Sequence, residues 1–105
     1  MNNKQTYRHG DLFFTPVDKL EGSEVKHNGS FVLAEGETTG HKHLLTADRM
    51  TIRKTEDGRF YLSLETPGTI THEEHKTIVL PPGIYEMGNE REKDWFSGAV
   101  RQVID

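Results

Sequence analysis

The chain has 105 residues, with 13 Lys+Arg against 17 Asp+Glu for a formal charge of −4, six histidines and no cysteine. That length holds one domain, 1–105; the absence of cysteine excludes a disulfide scaffold, a thiolate nucleophile and Cys-ligated metal sites, leaving histidine and carboxylate to carry any chemistry. The acidic balance speaks against a binder of long nucleic acid, and no apolar run matches a membrane span or a secretory signal, so a cytoplasmic protein without membrane contact is expected.

Apolar residues come in short runs between turn signals, and none keeps helical spacing beyond two turns, which predicts strands throughout. In chain order these are Leu12 to Val17, Ser30 to Ala34, His41 to Leu45, Met50 to Lys54, Arg59 to Glu65, Thr69 to His72, Lys76 to Leu80, Ile84 to Met87 and Ala99 to Ile104. Their spacing of roughly 8–12 residues is that of a sandwich or small barrel. The expected fold is therefore all-β, a single-domain β-sandwich or jelly-roll-like barrel. Between strands, Asp18 to Gly29 reads as an exposed polar loop, and Pro67-Gly68 and Pro81-Pro82-Gly83 as turns. Glu56-Asp57-Gly58 supplies an Asp-Gly pair suited to a tight hairpin with positive φ angles, and Phe60, Leu62 and Leu64 alternate with Tyr61, Ser63 and Glu65 beside it. The charged run Asn89 to Asp94 reads as a solvated face, and its Arg91 has Glu90, Glu92 and Asp94 as nearby partners. Tyr7, Tyr61, Tyr85 and Trp95 are expected in the core.

Two histidine pairs stand out. In His41-Lys42-His43 the two imidazoles sit at i and i+2, on one face of a strand. In His72-Glu73-Glu74-His75 they sit at i and i+3 and converge only across a turn, bulge or corner. The spacing is one residue short of the zinc-protease H-E-x-x-H, and no helix is indicated. His9 and His27 stand alone in polar, turn-rich contexts and are expected at the surface. Used without a metal, paired imidazoles near their ordinary pKa of ~6.5 can take one proton and give another. Lys42 and Lys76 are then candidates to bind phosphate oxygens, Glu73 and Glu74 to orient an imidazole, and Glu37 and Thr39, in the loop bracketed by Gly36 and Gly40, to contact ligand.

Used with a metal, His41, His43, His72 and His75 form a candidate site for one divalent ion such as zinc, iron or manganese. His41-x-His43 followed downstream by Pro82-Gly83 resembles a cupin arrangement, although only Asp48 stands where a cupin carries its glutamate. As a set, Gly10-Asp11, Gly36-Glu37-x-Thr39-Gly40-His41-x-His43, Thr71-His72-Glu73-Glu74-His75, Leu80-Pro81-Pro82-Gly83-x-Tyr85, Arg91-Glu92-x-Asp94 and Arg101-x-Val103-x-Asp105 resemble a family of small, uncharacterised proteins of bacteriophages and other mobile elements. The resemblance implies a host-cytoplasmic setting in which small phage proteins counter defence by binding or degrading nucleotide second messengers. The leading expectation is a metal-independent, histidine-dependent phosphodiesterase acting on a small phosphorylated nucleotide, with His41, His43, His72 and His75 catalytic and no cofactor. The alternatives are a cupin-like divalent-metal protein, and a nucleotide sponge or structural phage protein without catalysis. A homo-oligomer is expected in each case, since a small β domain leaves edges that pairing covers.

Overall fold

The computed structural model describes residues 5–35 and 40–89, which contain ten strands and no helix. The strands are β1 (Tyr7–His9), β2 (Leu12–Pro16), β3 (Ser23–Val25), β4 (Ser30–Glu35), β5 (Lys42–Thr46), β6 (Met50–Lys54), β7 (Phe60–Leu64), β8 (Gly68–Thr71), β9 (Ile78–Leu80) and β10 (Gly83–Asn89). They form two antiparallel sheets, β1-β2-β10-β7-β6-β3 and β4-β5-β8-β9. The sandwich expected from the strand rhythm is the architecture found.

One buried cluster joins the sheets: Phe14, Ile52 and Leu62 come from the first sheet and Leu45, Ile70 and Leu80 from the second, each completely buried. The period-2 alternation of strands delivers these side chains to one face. On β7, Leu62 and Leu64 point into this core. Tyr61 is buried on the opposite face, where the Arg59 guanidinium lies over its ring and donates to its hydroxyl at 3.2 Å.

Several sequence expectations are corrected. The polar segment Asp18 to Gly29 contains β3, an edge strand paired with β6 through Val25 and Ile52. The residues before Leu12 contribute β1, which pairs with β2 as Tyr7↔Phe14 and His9↔Leu12. At the Glu56-Asp57-Gly58 turn, only Gly58 has a positive φ, +93°, because Thr55 and Arg59 close a three-residue loop instead of a two-residue one. The Gly58 amide donates to the Thr55 carbonyl, and the Thr55 hydroxyl holds Asp57 and the Arg59 amide. This is the pattern of a type I turn closed by a left-handed glycine. The predicted strand Ala99 to Ile104, most of the charged run, Arg91 and Trp95 lie outside the described residues.

After β3, the chain alternates between sheets in pairs, with β4 and β5 in one, β6 and β7 in the other, and β8 and β9 back in the first. The last strand, β10, inserts between β2 and β7, pairing Met87 with Phe14 on one side and with Phe60 on the other. The β1–β2 hairpin thus joins the rest of its sheet through β10.

A five-histidine candidate site

Three segments meet at one end of the core: the end of β1, the start of β5 and the loop between β8 and β9. On β5, His43 shares the inward face with Leu45 and is 9 % exposed. A β-bulge in β4, where Val32 pairs with Leu44 but Ala34 already pairs with His43, leaves Leu33 unpaired and sets Ala34 opposite the imidazole. Such bulges re-aim a strand end. His41 precedes β5 and is half-buried, next to Gly40 with its φ of +76°.

The second histidine motif lies in the β8–β9 loop, after β8 ends at Thr71. The loop makes the i, i+3 pair converge: the His72 and His75 ring centroids are 4.5 Å apart. His72 also lies 4.4 Å from the His43 ring and 5.5 Å from that of His41. His43 and His75 stack at 5.7 Å with their planes 19° apart. One ligand nitrogen from each of His43, His72 and His75 lies within 4.8 Å of the other two, and His41, His72 and Glu73 form a second group by the same measure.

The fifth imidazole belongs to His9. It is not on the surface as expected but 3 % exposed, because β1 is a strand whose Tyr7 and His9 turn inward. Its Nδ1 lies 2.8 Å from His43 Nδ1 and its Nε2 donates to the Lys76 carbonyl at 2.8 Å. The signal available in the sequence was Gly10-Asp11: with Gly10 at φ +62° and Asp11 not positive, this is the two-residue turn of a type II′ hairpin, which makes the preceding residues a strand. Gly10 also backs the site, since a Cβ there would stand 2.8 Å from His75 Nε2 and 3.0 Å from His43 Cε1. His27 is half-buried away from this cluster, donating through Nε2 to the Met50 carbonyl at 2.9 Å and accepting the Gly29 amide at Nδ1. It ties the end of the β3–β4 loop to β6.

The remaining candidates are placed as follows. The Lys42 amide donates to Glu73 Oε1 at 2.9 Å, and that hydrogen bond is the main reason the Glu73 carboxyl is held below its usual range. The Glu74 amide donates to His72 Nδ1 at 2.9 Å, and its carboxylate lies 3.7 Å from His41 Nδ1. Lys42 and Lys76 are exposed, Lys76 bearing the carbonyl that His9 reaches. Glu37 and Thr39 lie outside the described residues.

Burial, reinforced by His72, His9 and His75, pulls His43 down to about 4 from its ordinary 6.5. Burial also lowers His9 and His72, each with help from neighbouring imidazoles. The cause is the same throughout: a charge withdrawn from water beside other rings that would also be charged. Near neutral pH these three rings are held as neutral imidazoles, the form that binds a metal or accepts a proton.

A model of one protein family matches residues 8–90. The chain belongs to the DUF8820 family, a domain of unknown function. The span matched to DUF8820 takes in all six histidines and every described strand except the first residue of β1. Comparison with curated proteins and with solved structures found no match.

Proposed function

We propose that this protein is a divalent-metal protein, with His43, His72 and His75 holding one transition-metal ion that acts on a small phosphodiester. The observation that carries this reading is the convergence of three ligand nitrogens within 4.8 Å of one another. Bound at ~2.0–2.1 Å, three imidazoles stand about 3.4 Å apart around one ion, so a small closing movement of the loop-borne rings completes the site. Three protein ligands leave a position open for water or substrate, and the nitrogen donors suit zinc or iron better than manganese.

Charge supports the same reading. Lys42 and Lys76 were candidates to bind phosphate oxygens, but Glu73 and Glu74 stand in the same loop cluster and offset their charge. A divalent ion supplies the net positive charge that a phosphodiester needs, and lowers the pKa of a bound water toward neutrality. His41 and Glu73, which form the second ligand group together with His72, are the candidates to orient that water. The phage setting implied by the motif resemblance makes a nucleotide second messenger the substrate class to try first.

A second reading rests on the Glu74 amide, which occupies Nδ1 of His72 and leaves the proton of the neutral ring on Nε2. Metal ligation through Nε2 of His72 requires that hydrogen bond to be given up. Without metal, His43 would take the proton of a ribose 2′-hydroxyl as its oxygen attacks phosphorus, and that proton would pass through water to the departing 5′-oxygen while His72 Nε2–H hydrogen-bonds it, leaving a 2′,3′-cyclic phosphate.

Metal analysis of the purified protein, combined with incubation against a panel of cyclic di- and oligonucleotides with and without EDTA, separates these readings. Stoichiometric metal lost in His43→Ala and His75→Ala, with products formed only in the absence of EDTA, is expected. Products that persist in EDTA support the second reading, and intact nucleotide recovered after denaturation marks a sponge. A wild-type protein that binds zinc, iron and manganese no better than His43→Ala overturns the metal centre.

A further inference from the structure

We infer that His9 is the positioning residue of this site, a buried clasp that locks the tautomer of His43 and so fixes which of its nitrogens faces outward for chemistry. The hydrogen bonds, with His9 buried among other imidazoles and so neutral, set the direction. A carbonyl oxygen only accepts, so His9 Nε2, 2.8 Å from the Lys76 carbonyl, carries the proton. With His9 neutral, its Nδ1 is a bare lone pair and accepts. His43 Nδ1, 2.8 Å away, is then the donor. A neutral His43 protonated at Nδ1 has its free lone pair on Nε2, the nitrogen left to the group it forms with His72 and His75.

Burial makes the lock effective. His9 is 3 % and His43 9 % exposed, so water does not compete well for these nitrogens. The chain runs from the β8–β9 loop carbonyl through the β1 imidazole to the β5 imidazole, so it also ties together the three segments that build the site. Metal-ligating histidines are commonly oriented in this way by a partner on the other ring nitrogen, and loss of that partner costs 10–100-fold in affinity. The tautomer stands on the hydrogen bonds and on the burial of His9, which keeps that ring neutral. Its consequence for metal affinity rests on the metal reading proposed above.

Two measurements test it. In metal-free protein at about pH 8, long-range proton–nitrogen correlation spectra of the histidine rings are expected to show His43 protonated at Nδ1 and bare at Nε2. In His9→Leu, which keeps bulk and removes both hydrogen bonds, His43 is expected to revert to the Nε2–H form that free imidazole side chains favour in water. Wild-type His43 found as Nε2–H overturns the inference, and this measurement needs no variant to fold.

In cobalt(II) titrations, His9→Leu is expected to bind 10–100-fold more weakly than wild type. His9→Gln, whose amide can donate to Lys76 and accept from His43, should recover most of the loss. Equal cobalt affinity in wild type and His9→Leu removes the positioning role. Wild-type protein that takes up no cobalt while His43 is still Nδ1-protonated defeats the metal reading and leaves the clasp standing.

Discussion

His9 and His43 meet Nδ1 to Nδ1 at 2.8 Å, joining the edge strand of the six-stranded sheet to an inner strand of the four-stranded one. A buried hydrogen bond of this kind contributes about 0.5–1.5 kcal/mol net, and its two ends cannot be removed independently. A double-mutant cycle with His9→Ala and His43→Ala, followed by urea unfolding of metal-free protein, is expected to give a coupling energy in that range. Strict additivity of the two substitutions contradicts the bond.

Acid should weaken the metal-free fold well before its carboxylates titrate. His43 sits at about 4 when folded and near ~6.5 when unfolded. Between those values the unfolded chain binds a proton that the folded chain refuses. Stability is therefore full above about pH 6.5, declines as pH falls through the window and levels off below about 4. His9 and His72, also lowered, act in the same direction. Urea midpoints measured in EDTA should drop from about pH 7 to about pH 5; a flat profile would mean that the rings are not desolvated as described.

Gly10 and Gly58 share a left-handed backbone but differ in surroundings, and this makes them a matched pair. Alanine at either position carries conformational strain of about 1–2 kcal/mol. At Gly10 the added methyl also runs into His75 and His43, whereas at Gly58 it meets nothing within 4 Å. Thermal unfolding should register both variants, and cobalt binding only Gly10→Ala. Unchanged cobalt affinity in Gly10→Ala would show that the glycine does not shape the site.

The core and the outer face of the smaller sheet should respond very differently to truncation. Leu62 is fully buried at the centre of β7, and its replacement by alanine is expected to cost about 2–5 kcal/mol. Val79 on β9 is 56 % exposed, so Val79→Ala should stay within about 0.5 kcal/mol. Denaturant titration decides this, and a cost at Val79 matching that at Leu62 would contradict its exposure.

What could be read from the sequence was whatever depends on neighbours. Alternation along Phe60 to Leu64 identified β7, since a half-buried strand writes its two faces into every second residue, and the Glu56-Asp57-Gly58 turn marked Met50 to Lys54 as its hairpin partner β6. The i, i+2 spacing likewise brought His41 and His43 forward as a pair. The run Phe31-Val32-Leu33-Ala34 shows no alternation, so the bulge that faces Ala34 to His43 left no trace in it. β1 and β3 are three residues each, too short for periodicity to register. His9 was misplaced for a related reason: its burial comes from a hairpin held in place by strands far along the chain, and the residue itself looks like any histidine in a polar stretch. In the β8–β9 loop, the i, i+3 spacing posed a question about convergence that only the loop conformation answers.

The position of β10 has a consequence for how the protein is made. During synthesis from the N-terminus, residues bearing all five clustered imidazoles leave the ribosome before Gly83–Asn89 does. Yet Leu12 pairs with Asn89, and the β1–β2 hairpin has no other route into its sheet. Four of the imidazoles can gather while the nascent chain is still incomplete, but the clasp supplied by His9 closes only after the last described strand has threaded into the middle of the sheet. Completion of the site is thereby timed to the arrival of β10.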